Sequence, residues 1–237
     1  MSQPNTTAST EDFEFAALSE AKNYRQAIVS EFAPYLIGRI LEVGVGIGQS
    51  SEAILALPGV TELVGVEPDS RFQQGFRDRL PHIRLVDGTT ADLALHDTFN
   101  AAVMVNVLEH IEDDLGELIR LNRILKPHNG YLCLLIPARQ EIYSDLDAHF
   151  GHFRRYSRTD LRQKLLHAGF QIKTVSYFNF IGYFAWLMRF RLMRSMSFDI
   201  NQVRLFDQKI FPPCHWMESN ILRPPIGQSV IAIAQAF

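Results

Sequence analysis

The chain has 237 residues, 47% of them apolar and 21% charged, with a formal net charge of −3, a size and balance that fit one α/β domain over 1–237. The slightly acidic balance argues against the dominant basic footprint of a nucleic-acid-binding domain, leaving room only for a local basic patch, and no nucleic-acid partner is expected. The polar stretch 1–10 has no apolar core of a secretory signal, and the apolar run 178–188 is shorter than the roughly 20 residues that cross a bilayer, so a cytoplasmic protein without stable membrane insertion is expected.

Residues 1–10 lack periodicity and read as a disordered tail. From Glu11 to about Tyr35 the pattern is helical: Phe15, Leu18, Tyr24, Ile28 and Phe32 recur with charges between them, and Pro34 ends the helix or lies in its last turn. A short strand, 40–43, then meets three glycines, Gly44, Gly46 and Gly48, and a helix is expected over 52–57, opened by Ser50, Ser51 and Glu52 and stopped by Pro58-Gly59. Glycines accept positive φ and let a ligand approach the backbone; next to a helix N-terminus they suit a nucleotide-like ligand, although a lone turn of this kind also occurs without one. Further strands are expected at 62–67, 82–86, 101–105 and 131–136. A helix runs from about Glu112, with Leu115, Leu118, Leu121 and Leu125 as its apolar stripe. The strands at 101–105 and 131–136 are apolar throughout, as in a parallel sheet covered on both faces. Ser157-x-x-Asp160 resembles a capping box and opens a helix ending near Gly169; strands follow at 170–176 and 229–236. Between them, 179–225 is an insertion rich in aromatics, methionine and arginine. Alternating strands and helices read as a doubly wound α/β sheet.

In such a sheet ligands bind at the carboxyl ends of the strands. Glu42 precedes the first glycine, Glu67 ends the second strand about 20 residues beyond the turn, Asp87 ends the third and Asn106 follows the fourth, so all four are expected around one crevice. Glu67 stands where an acid grips a ribose diol. Each also has a plainer role as a solvated acid, turn or cap residue. Cys133 and Cys214 show neither CxxC nor zinc spacing; Cys133 reads as a core residue.

The dinucleotide fingerprint G-x-G-x-x-G is not met, because the third glycine falls one step early. Glu42-x-Gly44-x-Gly46-x-Gly48 instead resembles motif I of class I S-adenosylmethionine-dependent methyltransferases. Leu63-Val64-Gly65-Val66-Glu67-Pro68-Asp69 is similar to that family's ribose-binding segment, Asp87-Gly88 to its adenine-side acid, and Asn106-Val107-Leu108-Glu109-His110-Ile111 to its motif IV. Leu125-Lys126-Pro127 with Gly130 resembles the "LKPGG" turn, one residue longer here. The resemblance covers about 20–170. It implies a seven-stranded, mostly parallel Rossmann-like sheet with an antiparallel last strand, and S-adenosylmethionine as cofactor. Gly44, Gly46 and Gly48 would line its methionine part, Glu67 hold the ribose hydroxyls, Asp87 with Gly88 meet the adenine amine, and Asn106, next to Val107, take the methionine amine on its carbonyl. Tyr24 resembles the residue that closes over the cofactor, or is one more apolar position of its helix.

The segment 145–157 is similar to the "LDxxxGHxRRYS" stretch of a bacterial small-molecule subgroup. Here His152 or His149 would take an acceptor proton and Arg154 or Arg155 hold an anionic acceptor; alternatively Arg154, Arg155 and Tyr156 pin the loop through Asp145 or Asp147. His110 is a second candidate base. Motif IV also resembles that of ubiquinone O-methyltransferases, whose Glu and His help bind a divalent metal; with Asn106 in place of a second acid, no metal is expected. The insertion, with Tyr183, Phe184 and Trp186, is expected to wall an apolar acceptor pocket, or to form a core or membrane-surface helix, although Arg189, Arg191 and Arg194 do not share one helical face. The expected activity is methyl transfer to the oxygen or nitrogen of a small, partly apolar molecule, with His152, His110 and Arg155 on the acceptor side. The alternatives are an NAD(P)-dependent oxidoreductase and a non-catalytic cofactor-binding module.

Overall fold

The computed structural model describes residues 19–196, 199–221 and 224–237; the expected tail and the positions of Phe15 and Leu18 lie outside them. The strands are β1 (Gly38–Val43), β2 (Val60–Glu67), β3 (Arg84–Asp87), β4 (Ala101–Val105), β5 (Tyr131–Pro137), β6 (Phe170–Phe178) and β7 (Ser229–Ala236). They form one sheet in the order β3-β2-β1-β4-β5-β7-β6. All pairs are parallel except those of β7, which runs antiparallel between β5 and β6. The order reverses between β1 and β4, the position where doubly wound sheets open a crevice.

The continuous apolar runs have a simple cause. Leu41, Met104, Leu134 and Ala232 join one core, whereas their neighbours Ile40, Val103, Cys133 and Ile233 join another. Side chains alternate across a strand, so both faces of the central sheet are covered and every position needs an apolar residue. The first core takes α4 (Asp114–Leu125) and α6 (Arg158–His167) through Leu118, Leu121, Leu125, Leu161 and Leu165; the second takes α1 (Lys22–Phe32) and α2 (Gln49–Leu55) through Ile28, Phe32 and Ile54. Helix α3 (Ser70–Arg79) and the short α5 (Asp145–His149) complete this part.

Most strand and helix ends lie within one to three residues of expectation, β3 for instance at Arg84–Asp87 rather than 82–86 and β6 running on to Phe178, and two local differences have a clear cause. Helix α2 starts at Gln49 rather than Glu52, because Gly48, at φ +82°, turns the chain into the helix directly; Ser50 and Ser51 then fall inside its first turn. The longer turn after α4 is absorbed by Asn129, at φ +49°, so that the Gly130 N–H donates to the Leu125 carbonyl at 3.0 Å. A Cβ at Gly130 would lie 2.7 Å from the Asn100 carbonyl oxygen, which is why glycine stands there.

The insertion is helical. Helix α7 (Phe180–Trp186) continues as a π-helical stretch, Leu187–Leu192. Helix α8 (Ile200–Leu205) passes through a second one, Phe206–Ile210, into α9 (Phe211–Asn220). Pro212 and Pro213 carry no N–H to close α-turns onto residues 208 and 209, which accounts for the looser winding ahead of them. The insertion also caps α1 from a distance. Buried Asp207 accepts the N–H groups of Asn23 at 3.0 Å and Tyr24 at 2.9 Å; helix N-terminal donators of this kind need a partner, and this one fixes the start of α1 against the site.

Candidate active site

At the carboxyl end of β1 the chain turns through Gly44, Gly46 and Gly48, all at positive φ. A Cβ on Gly44 would lie 2.3 Å from Val107 Cγ2, so only glycine lets the turn pass the loop after β4. The Gly46 N–H donates to Glu67 Oε2 at 2.8 Å and the Asp69 N–H to Oε1 at 2.9 Å. The buried Glu67 carboxylate therefore braces the glycine turn and keeps a second lone pair on each oxygen for a ligand. Its pKa is raised by burial, against the two backbone donors. Glu42 is buried behind the turn and accepts the Ser51 hydroxyl at 2.5 Å. Burial pushes it up to about 7, with the nearby Glu67 charge adding to the shift.

These groups wall a cavity of about 390 Å³ lined by Glu42, Gly44, Gly46, Glu67, Val107 and His110, among others. Gly48 is not on its wall: it packs against Phe76 and Leu80. Neither is Asp87, which lies on the outer strand, half exposed and paired with Arg77, nor Gly88 beyond it. The tight turn thus uses its third glycine for packing, and the expected adenine-side acid stands outside the cavity as the structure draws it.

A second cavity, about 290 Å³, adjoins the first; Ala21, Tyr24, Asn106 and Phe150 line both. Asn106 holds φ +52° at the end of β4, a conformation uncommon outside glycine and frequent at functional sites. Tyr24 contacts the Ser229 hydroxyl at 3.3 Å, and burial pushes its phenol up to about 12. The rest of the wall comes from the loop after α5, from the insertion and from Asn179, Gln228 and Ser229 at the ends of β6 and β7.

His152 is the most constrained group in this second cavity. The box between Ser144 and Asp147 that caps α5 holds Asp147 Oδ2 with two donors, at 2.9 and 2.8 Å. Asp147 Oδ1 then meets His152 Nδ1 at 3.1 Å and Arg155 Nε at 2.8 Å. A carboxylate only accepts, so Nδ1 carries the proton and Nε2 presents its lone pair. Nε2 is buried and has no hydrogen-bond partner among the described residues. Burial raises Asp147, but the bonds from His152 and Arg155 outweigh it and hold its pKa below the ordinary value.

Several expected residues have other duties. Arg155 is 5% exposed and spends its donors on Asp147 and the Ala138 carbonyl while its guanidinium lies 4.6 Å from the Trp186 ring centre. These contacts pin the loop. Arg154 donates to the Ile111 and Glu112 carbonyls and pairs with Asp114, which also accepts Tyr156. The loop is therefore pinned through Asp147 and Asp114, with Asp145 uninvolved. His149 is exposed and off both walls. His110 lies at the rim, its ring centre 4.6 Å from that of His152, and partial burial followed by that neighbour lowers its pKa. Of the expected aromatic wall, Trp186 faces the cavity, Tyr183 packs in the cluster behind it and Phe184 is exposed. Asn179, Gln228 and Ser229 are cavity residues that the sequence reading did not name; Asp147, fully buried, lines neither cavity and acts through His152.

Residues 15–175 match the family model described as a methyltransferase domain. Among curated proteins, an uncharacterised methyltransferase of Alkaliphilus oremlandii is 28% identical over 107 residues, covering 45% of this chain and 49% of that protein. A probable S-adenosylmethionine-dependent methyltransferase of Mycobacterium tuberculosis is 26% identical over 149 residues, covering 61% and 53%. The chain thus spans about half the length of these relatives. Among solved structures, a chain from the complex of the Haloferax volcanii Trm112 methyltransferase activator with a methyltransferase superposes with a TM-score of 0.62 at 15% identity, over 94% of each chain, a likeness of fold.

Proposed function

The chain belongs to the methyltransferase-domain family, and from that premise we propose that it transfers a methyl group from S-adenosylmethionine to a small, largely apolar acceptor bearing a hydroxyl or amine. The glycine-turn cavity suits this cofactor: a Cβ at Gly44 is excluded, and Glu67 and Glu42 supply acceptors for hydroxyls and an amine. When bound, the cofactor supplies an electrophilic methyl on a sulfonium. Glu67 holds the ribose side, Tyr24 and Asn106 stand at the passage between the cavities, and the second cavity aligns the acceptor and excludes water. His152 Nε2 takes the proton that the acceptor hydroxyl or amine loses.

The observation that carries this reading is the unpartnered, buried Nε2 of an Asp147-oriented histidine on the wall of a mostly apolar cavity next to the glycine turn. Trp186, Phe190 and Phe206 supply apolar wall, and Arg155 is committed to Asp147, which favours an uncharged acceptor over an anionic one. S-adenosylhomocysteine is expected to raise the melting temperature while NAD(H) does not, and label from methyl-labelled cofactor is expected to enter apolar phenols, alcohols or amines. Stabilisation by NAD(H) alone, or no transfer across such a panel, would overturn the reading.

A second reading rests on Glu109, His110 and His152, which each place one ligand atom within 4.8 Å of the others: a divalent cation there would activate the acceptor instead of a free histidine. Loss of turnover on chelation would favour it.

Two further outcomes follow from the first cavity. Glu67→Ala removes an acceptor for the ribose hydroxyls and the brace of the Gly46 N–H. Charge-assisted bonds are worth about 1.5–3 kcal/mol each, so S-adenosylmethionine affinity is expected to fall at least about tenfold by calorimetry; unchanged affinity would remove Glu67 from the site. Glu42 sets a pH dependence. Its folded pKa is raised to about 7 by burial, above the ordinary Glu value near 4.3. The folded state therefore binds the extra proton between those values, and this group's contribution is fully present below the lower value and lost as pH rises through the upper one. Glu42→Gln is expected to be the more stable form above pH 7, by an amount on the order of 3 kcal/mol, with the difference shrinking as pH falls towards 5. Urea titrations at the two pH values read this directly, and parallel curves would contradict it.

A further inference from the structure

The insertion is apolar on both sides. Its inner faces bury Tyr183, Trp186, Phe190 and Phe211. Yet of the fifteen large apolar side chains exposed among the described residues, ten lie between 184 and 221, and the most open include Met188, Leu192, Met193, Leu205 and Trp216. Phe184, Met188 and Leu192 follow one another at four-residue steps along a single helix. Helices that are hydrophobic all round are covered on all sides, and clustered exposed apolar side chains mark surfaces that bind something.

The charges select the partner. The acids in the described part of the insertion are turned to internal use: Asp207 is buried under the start of α1, Glu218 accepts the Phe180 N–H, and Asp199 caps α8. Arg204 is paired with Glu20 and Arg189 bonds Gln202. Arg191, Arg194 and Lys209 remain, exposed, and no ion pair engages them among the described residues. The exposed side chains of these helices are thus apolar and cationic and include Trp216, a residue type suited to the boundary between apolar and wet phases.

We propose that this face of the insertion docks on an anionic lipid bilayer as a peripheral surface, without crossing it. No helix among the described residues is long and apolar enough to span a membrane. The same helices wall the second cavity with Trp186, Phe190, Val203 and Phe206 on their inner side, so docking sets that cavity against a phase in which apolar molecules concentrate.

The test uses the full chain and vesicles of phosphatidylcholine, with or without about one third phosphatidylglycerol. Cosedimentation is expected with the anionic vesicles and to weaken steeply with salt. Each cation near such a surface is worth about fivefold in partitioning, so Arg191→Gln, Arg194→Gln and Lys209→Gln together are expected to weaken binding by roughly 100-fold, with the S-adenosylhomocysteine-induced melting shift unchanged. Emission from the exposed Trp216 is expected to move to shorter wavelength on binding, a change absent in Trp216→Phe, where buried Trp186 remains. No sedimentation, equal sedimentation with both vesicle types, or binding indifferent to the three charges and to salt would overturn the proposal. A concentration-dependent dimer that ignores vesicles would overturn it too, assigning the face to a second copy of the chain.

Discussion

Replacing His152 by alanine is expected to lower turnover by roughly 10²–10⁴, the usual worth of a positioned general base, while cofactor affinity changes less than about twofold. The expectation rests on how the ring is held. Asp147 is itself fixed by the Ser144 cap, its second oxygen orients Nδ1, and the backbone carbonyl of His152 accepts the Tyr143 hydroxyl at 2.6 Å. A base so constrained is delivered to one point with little loss of freedom on reaction. Asp147→Asn separates this role from a packing role. It leaves the volume nearly unchanged but removes the carboxylate charge and replaces one of its two acceptor oxygens by an NH2, so that either the His152 and Arg155 donors or the Ser144 donors lose their acceptor; turnover falls and its pH profile shifts, whereas the binding of S-adenosylhomocysteine in the neighbouring cavity persists. Full turnover in His152→Ala with any acceptor that must lose a proton would exclude the histidine as base.

Gly46→Val is expected to abolish cofactor binding, by at least about 100-fold in affinity, with the fold retained. Gly46 sits at φ +53° on the cavity wall. A β-branched residue is a true outlier there, at a strain of about 1–3 kcal/mol that a domain with a usual stability of about 5–15 kcal/mol survives. The branched side chain also enters the space a ligand would occupy, and any relaxation of the turn pulls the Gly46 N–H away from Glu67 Oε2, now 2.8 Å distant. Calorimetry with S-adenosylhomocysteine beside circular dichroism reads both effects. Normal affinity in a folded variant would place the cofactor elsewhere.

A partly exposed His110 and a buried His152 carry different consequences, although the sequence offers them as equals. Both follow a strand and both stand in motif-like surroundings. The difference is made by Asp147, which reaches the His152 ring at 3.1 Å and not that of His110, and by the closure of the loop over Tyr156, whose hydroxyl is tied to Asp114 at 2.8 Å.

The sequence by itself determined the sheet and the place of its crevice. Strand positions were legible because the central strands are apolar on both faces, and the last strand 229–236 because Val230 to Ala234 is an unbroken apolar run. The glycine turn, Glu42 and Glu67 were legible because a backbone approach and a strand-end acid are local requirements, met within a few residues of chain. Tertiary structure decided which of the candidate groups are available. Gly48 is taken by Phe76 and Leu80 and Asp87 by Arg77, through contacts that no spacing encodes, and Arg155 pairs with Asp147, one of the two acids its own loop offered. It also decided the acceptor side, where α1 is capped by Asp207 from 184 residues away and where the insertion turns Trp186 inward and Phe184 outward. Local patterns fix what a residue can do. Which partner reaches it first is set by long-range packing, because a buried polar group takes the nearest partner the fold supplies.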